Sequence, residues 1–285
     1  MPAEHERLTV VGVGLIGGSI ALAARRTGLW GEVVGVARSQ ASLRRAEASA
    51  VCNRMTTDLA EAAGGASLVV VCTPVGVIAP TLLQAAPACP PGALLTDAGS
   101  TKAGVVAAVE SELSKLEAPP AFVGSHPLAG DHRTGPEHAR EDLLTGRRVV
   151  ITPTPQSLPA AVDRVSAFWR ALGADVVQMA PAEHDTAVAR TSHVPHVLAA
   201  ALAQATPGST LPLTGAGWQD TTRVAAGDPA LWRDILLANR EEVLAGLGPL
   251  LAVVDDYRQA LSEGDGDRIL QLLQQGKQQR DAVGD

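Results

Sequence analysis

Aromatic side chains are scarce in this 285-residue chain: four Trp, two Phe and one Tyr. The interior must therefore be built from Ala, Val and Leu, and each aromatic that remains carries more information than usual. Cysteine is nearly absent. Cys52, Cys72 and Cys89 are odd in number and form no C-x-x-C pair, which excludes a disulfide framework. They read as small buried hydrophobes in a reducing compartment. Lysine occurs only at Lys102, Lys115 and Lys277, there is no long basic run, and the net charge is −7. This balance argues against nucleic acid and against an anionic membrane surface as partners. No apolar run approaches the roughly 18 residues of a membrane span. Residues 1–7 are short and polar, unlike a signal peptide. The expectation is a cytoplasmic protein. Disorder is also excluded, because 46% of residues are hydrophobic and only 19% charged. The length suits two modest domains, with no internal repeat or low-complexity segment.

The most informative stretch present is Leu8-Thr9-Val10-Val11-Gly12-Val13-Gly14-Leu15-Ile16-Gly17-Gly18-Ser19. A β-branched run enters G-x-G-x-x-G, and an alanine-rich helical pattern follows. In that context the first glycine serves a tight turn, the second admits a pyrophosphate to the backbone, and the third lets helix pack on strand. The pyrophosphate then meets unpaired N–H groups at the positive end of a helix. Gly12, Gly14, Leu15, Ile16 and Gly17 are the residues expected at the cofactor. The alternative is a tight turn that binds nothing. About 20 residues further on, NAD-binding units place an acid for the ribose 2′-hydroxyl. Here that position is Ala37, followed by Arg38 and Ser39. A guanidinium and a hydroxyl suit a 2′-phosphate, so NADP is favoured over NAD. Ser39 also reads as the N-cap of a helix over 40–49, with Arg38 in solvent. The two readings are compatible.

Apolar strand patterns fall at 8–13, 32–37, 67–73, 93–97, 121–124, 147–152 and 175–179, with helical patterns at 16–27, 40–49, 75–86, 102–116 and 156–172. That alternation predicts an α/β fold, an N-terminal Rossmann-type, doubly wound, mostly parallel sheet. After Pro181 only helical patterns remain, at 183–205, 217–226, 229–238, 240–263 and 267–282. The expected division is 1–180 for the dinucleotide and 181–285 for an all-helical domain. Apolar helical stripes need cover, and the reading is a homodimer through that domain; an intramolecular bundle is the alternative.

Ligands of doubly wound sheets bind at the carboxyl ends of the strands. Thr73-Pro74, Asp97-Ala98-Gly99-Ser100-Thr101-Lys102 and Gly124-Ser125-His126-Pro127 are expected there. His126 can accept a proton near neutral pH, and Ser100 can hydrogen-bond the same hydroxyl. The bland alternative for His126 is a loop histidine satisfied by backbone. In the helical half, His193 and His196 share a helix face, and with His184 they raise the question of a metal. No carboxylate or cysteine completes a set, so no metal is expected; polar groups lining a domain interface is the better reading. Arg223 is a natural carboxylate clamp, with a surface ion pair as the competing reading.

These segments together resemble the prephenate/arogenate dehydrogenase family (TyrA type). The matching pieces are GVGLIGGS (12–19), CTPV (72–75), TDAGSTK (96–102), GSHPLAG (124–130), HDTAVARTSHVPH (184–196) and WQDTTRVAAGDPALWRD (218–234), in family order over most of the chain. The resemblance implies a Rossmann domain with a helical dimerisation domain. It implies oxidative decarboxylation of a cyclohexadienol, prephenate or arogenate, to 4-hydroxyphenylpyruvate or tyrosine. It assigns proton acceptance to His126, a hydrogen bond to the hydroxyl and to His126 to Ser100, a substrate carboxylate to Arg223, and substrate orientation to His193. Asp220 and Trp232 match positions supporting the arginine and the cleft wall. Two departures stand out. The family's Ser-Val-Lys is Ser100-Thr101-Lys102 here, and Asp131-His132 replaces a Thr-Glu pair of many prephenate-using members, which leaves prephenate and arogenate both open. A β-hydroxyacid dehydrogenase needs a lysine in its helical domain, and none lies between Lys115 and Lys277. A dinucleotide sensor would need neither base nor clamp.

Overall fold

The computed structural model describes residues 6–130 and 133–284. Asp131 and His132 lie outside the described residues, so that departure from the family pattern has no structural account. The chain divides into two compact units, residues 1–239 and 240–285.

The first unit begins as β1 (Arg7–Val11), α1 (Leu15–Thr27), β2 (Glu32–Val36), α2 (Gln40–Ala48), β3 (Arg54–Thr56), α3 (Leu59–Ala63), β4 (Ala66–Val71), α4 (Val75–Ala85), β5 (Leu94–Asp97), α5 (Ala103–Leu113) and β6 (Ala121–Phe122). Six strands form a sheet in the order β3-β2-β1-β4-β5-β6, with every pair parallel. β1 is central, and apolar residues bury on both of its faces. Leu8 and Val10 join one core cluster and Val11 the other, as a parallel strand covered on both sides requires. The order reverses between β1 and β4, which opens a crevice at their carboxyl ends.

The chain then leaves this sheet. β7 (Gly124–Pro127), β8 (Arg148–Thr152) and, after α6 (Pro159–Ala171), β9 (Asp175–Gln178) make a separate three-stranded sheet, with β7 antiparallel to β8. This corrects the single sheet expected from the strand patterns. The run 121–124, read as one strand, ends its pairing with β5 at Phe122, and Gly124 then pairs with Thr152. His126 consequently sits within a strand, opposite Val150, and not on a loop. Trp169 of α6 is fully buried against this second sheet, its indole N–H donating to Ser125 Oγ at 3.0 Å.

The helical stretch expected at 183–205 is α7 (Pro181–Val188), a single π-helical turn (Ala189–His193) and α8 (Val194–Ala205). The wide turn is a local defect of the kind that re-aims side chains. α9 (Ala216–Thr222), a 3₁₀ turn (Arg223–Ala226) and α10 (Pro229–Ala238) complete the first unit. Packing groups residues 1–239 together: α7 packs on α5 and α10 packs on α4. The second unit is a helical hairpin, α11 (Arg240–Glu263) and α12 (Gly266–Asp281). Among the described residues no helix is long and apolar enough to cross a membrane.

Candidate active site

β1 stops at Gly12, whose φ of 88° lies in the left-handed region that favours glycine. A Cβ at Gly12 would lie 2.8 Å from the Cys72 carbonyl oxygen, and one at Gly17 only 2.3 Å from the Gly12 carbonyl oxygen. At Gly14 it would meet nothing within 4 Å. Two glycines are therefore demanded by packing, while the middle one leaves open space above the N-terminus of α1. The first turn of α1 carries no acidic residue, and its leading amides, Leu15 and Ile16 among them, have no partner within the helix. Beside this turn, next to Pro74, the Thr73 hydroxyl is buried and without a hydrogen-bond partner among the described residues. The open cradle, the unmatched helix end and the orphaned hydroxyl fit a dinucleotide pyrophosphate. At the end of β2, Arg38 is exposed and makes no ion pair with the described residues. Ser39 N-caps α2, accepting from Ser42 N at 3.2 Å.

The carboxyl ends of β1, β4 and β5 lie in one row, since Val11 pairs with Val71 and Val71 with Asp97. Asp97 is fully buried and ion-paired to the equally buried Lys102 ammonium. Its other oxygen accepts from Ser125 N at 3.0 Å, and Lys102 Nζ donates to Ser125 O at 2.9 Å. These bonds fasten β7 to the end of β5, so His126 stands at the edge that carries the glycine turn. Burial lowers the Lys102 pKa, against the pull of Asp97. Ser100 is partly exposed beside this network. Among the described residues no hydrogen bond joins it to His126, whose Nδ1 meets another ring.

That ring is His184. His126 Nδ1 and His184 Nε2 are 2.8 Å apart, and His184 Nδ1 lies 2.7 Å from Asp185 Oδ1. Asp185 also caps α5, accepting from Lys102 N at 2.7 Å and Ala103 N at 2.8 Å. Burial acts to raise the Asp185 pKa, but the hydrogen bonds from His184 and the two amides outweigh it, and the carboxyl lies below its ordinary value. The His126 pKa is driven well below 6.5, first by burial and then by the neighbouring His184, Lys102 and His193.

A second group lies along the π turn and α8. His193 is 1% exposed, and its pKa falls to about 4, chiefly through burial. Its Nδ1 accepts from Asn239 Nδ2 at 3.1 Å, and the same amide donates to the Asp185 carbonyl oxygen at 2.8 Å, tying the two groups together. His196 stacks on Trp232 with ring centroids 3.5 Å apart, and its buried Nδ1 has no hydrogen-bond partner among the described residues. Arg223 and Asp220 are both exposed, and no ion pair joins them. The 3₁₀ turn that begins at Arg223 packs on α8. Among the described residues no group of three or more His, Cys, Asp or Glu side chains is placed to hold a metal ion. The sequence reading missed Asp97, Lys102 and Asp185 as partners and read His184 only as a polar group lining a domain interface. The His-Asp dipeptide at 184–185 was the available signal.

A Rossmann-type sheet with an open anion cradle and a neutral imidazole at the same edge defines an NAD(P)-dependent oxidoreductase. The family model for the prephenate dehydrogenase nucleotide-binding domain matches residues 20–178, and that for the prephenate dehydrogenase dimerization domain matches residues 180–275. The chain belongs to the prephenate dehydrogenase family. It is 31% identical to the cyclohexadienyl dehydrogenase of Zymomonas mobilis, over 98% of this chain and 96% of that protein. Among solved structures it is similar to the prephenate dehydrogenase of A. aeolicus in complex with hydroxyphenyl propionate and NAD+, with TM-score 0.88, 28% identity and 98% of each chain covered. It is also similar to the arogenate dehydrogenase of Synechocystis, with TM-score 0.81, 31% identity, and 97% of this chain and 99% of that chain covered. Neither the β-hydroxyacid reading nor the sensor reading finds support among these relatives.

Proposed function

We propose that this chain oxidises the ring C4 hydroxyl of prephenate or arogenate, with loss of CO₂, to give 4-hydroxyphenylpyruvate or tyrosine. The observation that carries the reading is the His126 imidazole, held in its neutral form at the sheet edge that carries the glycine turn. When bound, the oxidised nicotinamide takes up the hydride from C4. His126 accepts the hydroxyl proton as the C–O bond gains carbonyl character. Such a base is worth about 10²–10⁴ in rate. Ser100 donates or accepts a hydrogen bond at the same hydroxyl. Arg223, exposed and without an ion pair among the described residues, holds a substrate carboxylate and supplies orientation. His193, Asp220 and Trp232 line the wall that positions the ring.

Gly12, Gly14, Leu15, Ile16, Gly17, Thr73 and Pro74 hold the pyrophosphate end of the cofactor. Arg38 and Ser39 would hold the adenosine ribose and its 2′-phosphate, so that NADP is preferred to NAD, because no carboxylate ends β2. Functionally the chain divides into a cofactor part, 1–180, and a substrate and dimerisation part, 181–285. Two copies pair through the latter, where Leu244, Leu251, Leu261, Leu270 and Leu273 are more than half exposed on α11 and α12. The cysteines are all free, which suits the cytoplasm.

The test is an assay of each substrate with each cofactor, run on wild type and on His126→Asn. The variant is expected to lose kcat by about 10²–10⁴ with cofactor affinity unchanged. Wild-type turnover in the variant removes His126 as the base.

A further inference from the structure

We infer that His184 and Asp185 are positioning residues that fix the tautomer of His126, so that Nε2 carries the lone pair that accepts the substrate proton. The inference rests on the reading of His126 as the base. Its geometry does not. Asp185 Oδ1 accepts from Lys102 N and Oδ2 from Ala103 N. These amides, with the contact from His184, favour the charged carboxyl and hold it below its ordinary pKa, and an ionised carboxylate can only accept. The proton between Asp185 and His184 therefore sits on His184 Nδ1. In the neutral ring, His184 Nε2 is then an acceptor. The 2.8 Å contact to His126 Nδ1 needs a donor, and His126 must supply it. The Nδ1–H tautomer follows, and Nε2 is left with its lone pair.

The competing arrangement makes His184 a cation and His126 Nδ1 the acceptor. It would bury a second positive charge near the Lys102 ammonium, at a ring with no exposure. Its only carboxylate, Asp185, is already occupied by two amides, and an uncompensated buried charge is costly. When His126 Nε2 takes the substrate proton, the O–H bond breaks and an imidazolium forms. Its Nδ1–H points to His184, whose own Nδ1–H points to the Asp185 anion. The fixed row thus opposes the new charge without any group having to move. Asp185 belongs to α7 and caps α5, so the same carboxylate that sets the tautomer also ties two helices together.

The experiment combines ring ¹⁵N NMR of the full-length protein with steady-state kinetics of His184→Leu and His184→Gln. The wild-type spectrum is expected to give His126 as Nδ1–H, neutral, near pH 7.5. Leucine removes the acceptor, and kcat is expected to fall by about 10²–10⁴ with KM changed less than about threefold. Glutamine can accept from His126 and donate to Asp185, and is expected to recover kcat to within about tenfold of wild type. A wild-type His126 protonated at Nε2 overturns the inference, as does wild-type kcat in His184→Leu. If the leucine variant does not fold, the wild-type spectrum and the glutamine variant still decide. A full-rate His126→Asn would instead remove the base reading while leaving the tautomer assignment intact, so the two failures are distinct.

Discussion

Gly14 and Gly17 stand three residues apart in one motif, yet the structure assigns them different consequences when alanine replaces each. A Cβ at Gly17 falls 2.3 Å from the Gly12 carbonyl oxygen, against an ordinary contact of 3.4–4 Å. The obstacle is backbone, so α1 must move off β1 by about 1 Å, and overpacking of that kind costs about 1–3 kcal/mol. In a chain of this size that amounts to about 2–10 °C in Tm. At Gly14 the new methyl meets nothing within 4 Å, and φ is −101°. The negative φ keeps alanine out of the left-handed region, the loss of a glycine N-cap costs about 0.5–1 kcal/mol, and reduced freedom of the unfolded chain returns about 0.4–1 kcal/mol. Stability should hold. The methyl instead occupies the space needed by the pyrophosphate. Losing one charge-assisted hydrogen bond of about 1.5–3 kcal/mol weakens dinucleotide affinity about 10- to 100-fold. Thermal melts of the apo protein and fluorescence titration with NADPH and NADH separate the two effects. Gly14→Ala melting as low as Gly17→Ala, or binding dinucleotide like wild type, would refute the assignment of the open face to the cofactor.

Arg38→Ala should weaken NADP more than NAD, measured as paired Kd values; equal losses would end the 2′-phosphate role. Arg223→Ala should chiefly raise KM for the cyclohexadienol, since an orienting clamp acts on binding before chemistry; an unaltered KM takes it out of the carboxylate site. Stability should fall on the acid side of neutrality. His193 titrates at about 4 in the fold against about 6.5 unfolded, so the unfolded chain binds the extra proton between those values. Its contribution is complete above pH 6.5 and shrinks as pH drops towards 4, by about 2 kcal/mol between pH 7.5 and pH 5. Burial depresses His126 and His196 in the same direction. Urea unfolding at the two pH values checks this, with His193→Asn expected to flatten the difference; identical midpoints in wild type would contradict it.

Much of the first sheet could be read locally. β1, the glycine turn and α1 announce themselves because strand and helix differ in hydrophobic period and glycine marks the bend between them. β3 was missed: three residues, all half-buried, give no alternation to detect. The second sheet was missed for another reason. The strand patterns at 124, 148 and 175 were visible, but periodicity says nothing about which strand pairs with which. The π turn inside 181–205 was likewise hidden in an uninterrupted helical pattern.

The sequence by itself determined the chemistry on offer: a glycine cradle, an arginine where an acid is usual, an imidazole at a strand end and a guanidinium in the helical half. These are properties of residue type and short spacing. Tertiary structure alone decided which groups face each other. His126 meets His184 across 58 positions, and Lys102 N meets Asp185 across 83. Such contacts are made when distant elements pack and buried polar atoms must find partners, a requirement that acts on the folded chain and leaves no period or spacing in the string of residues.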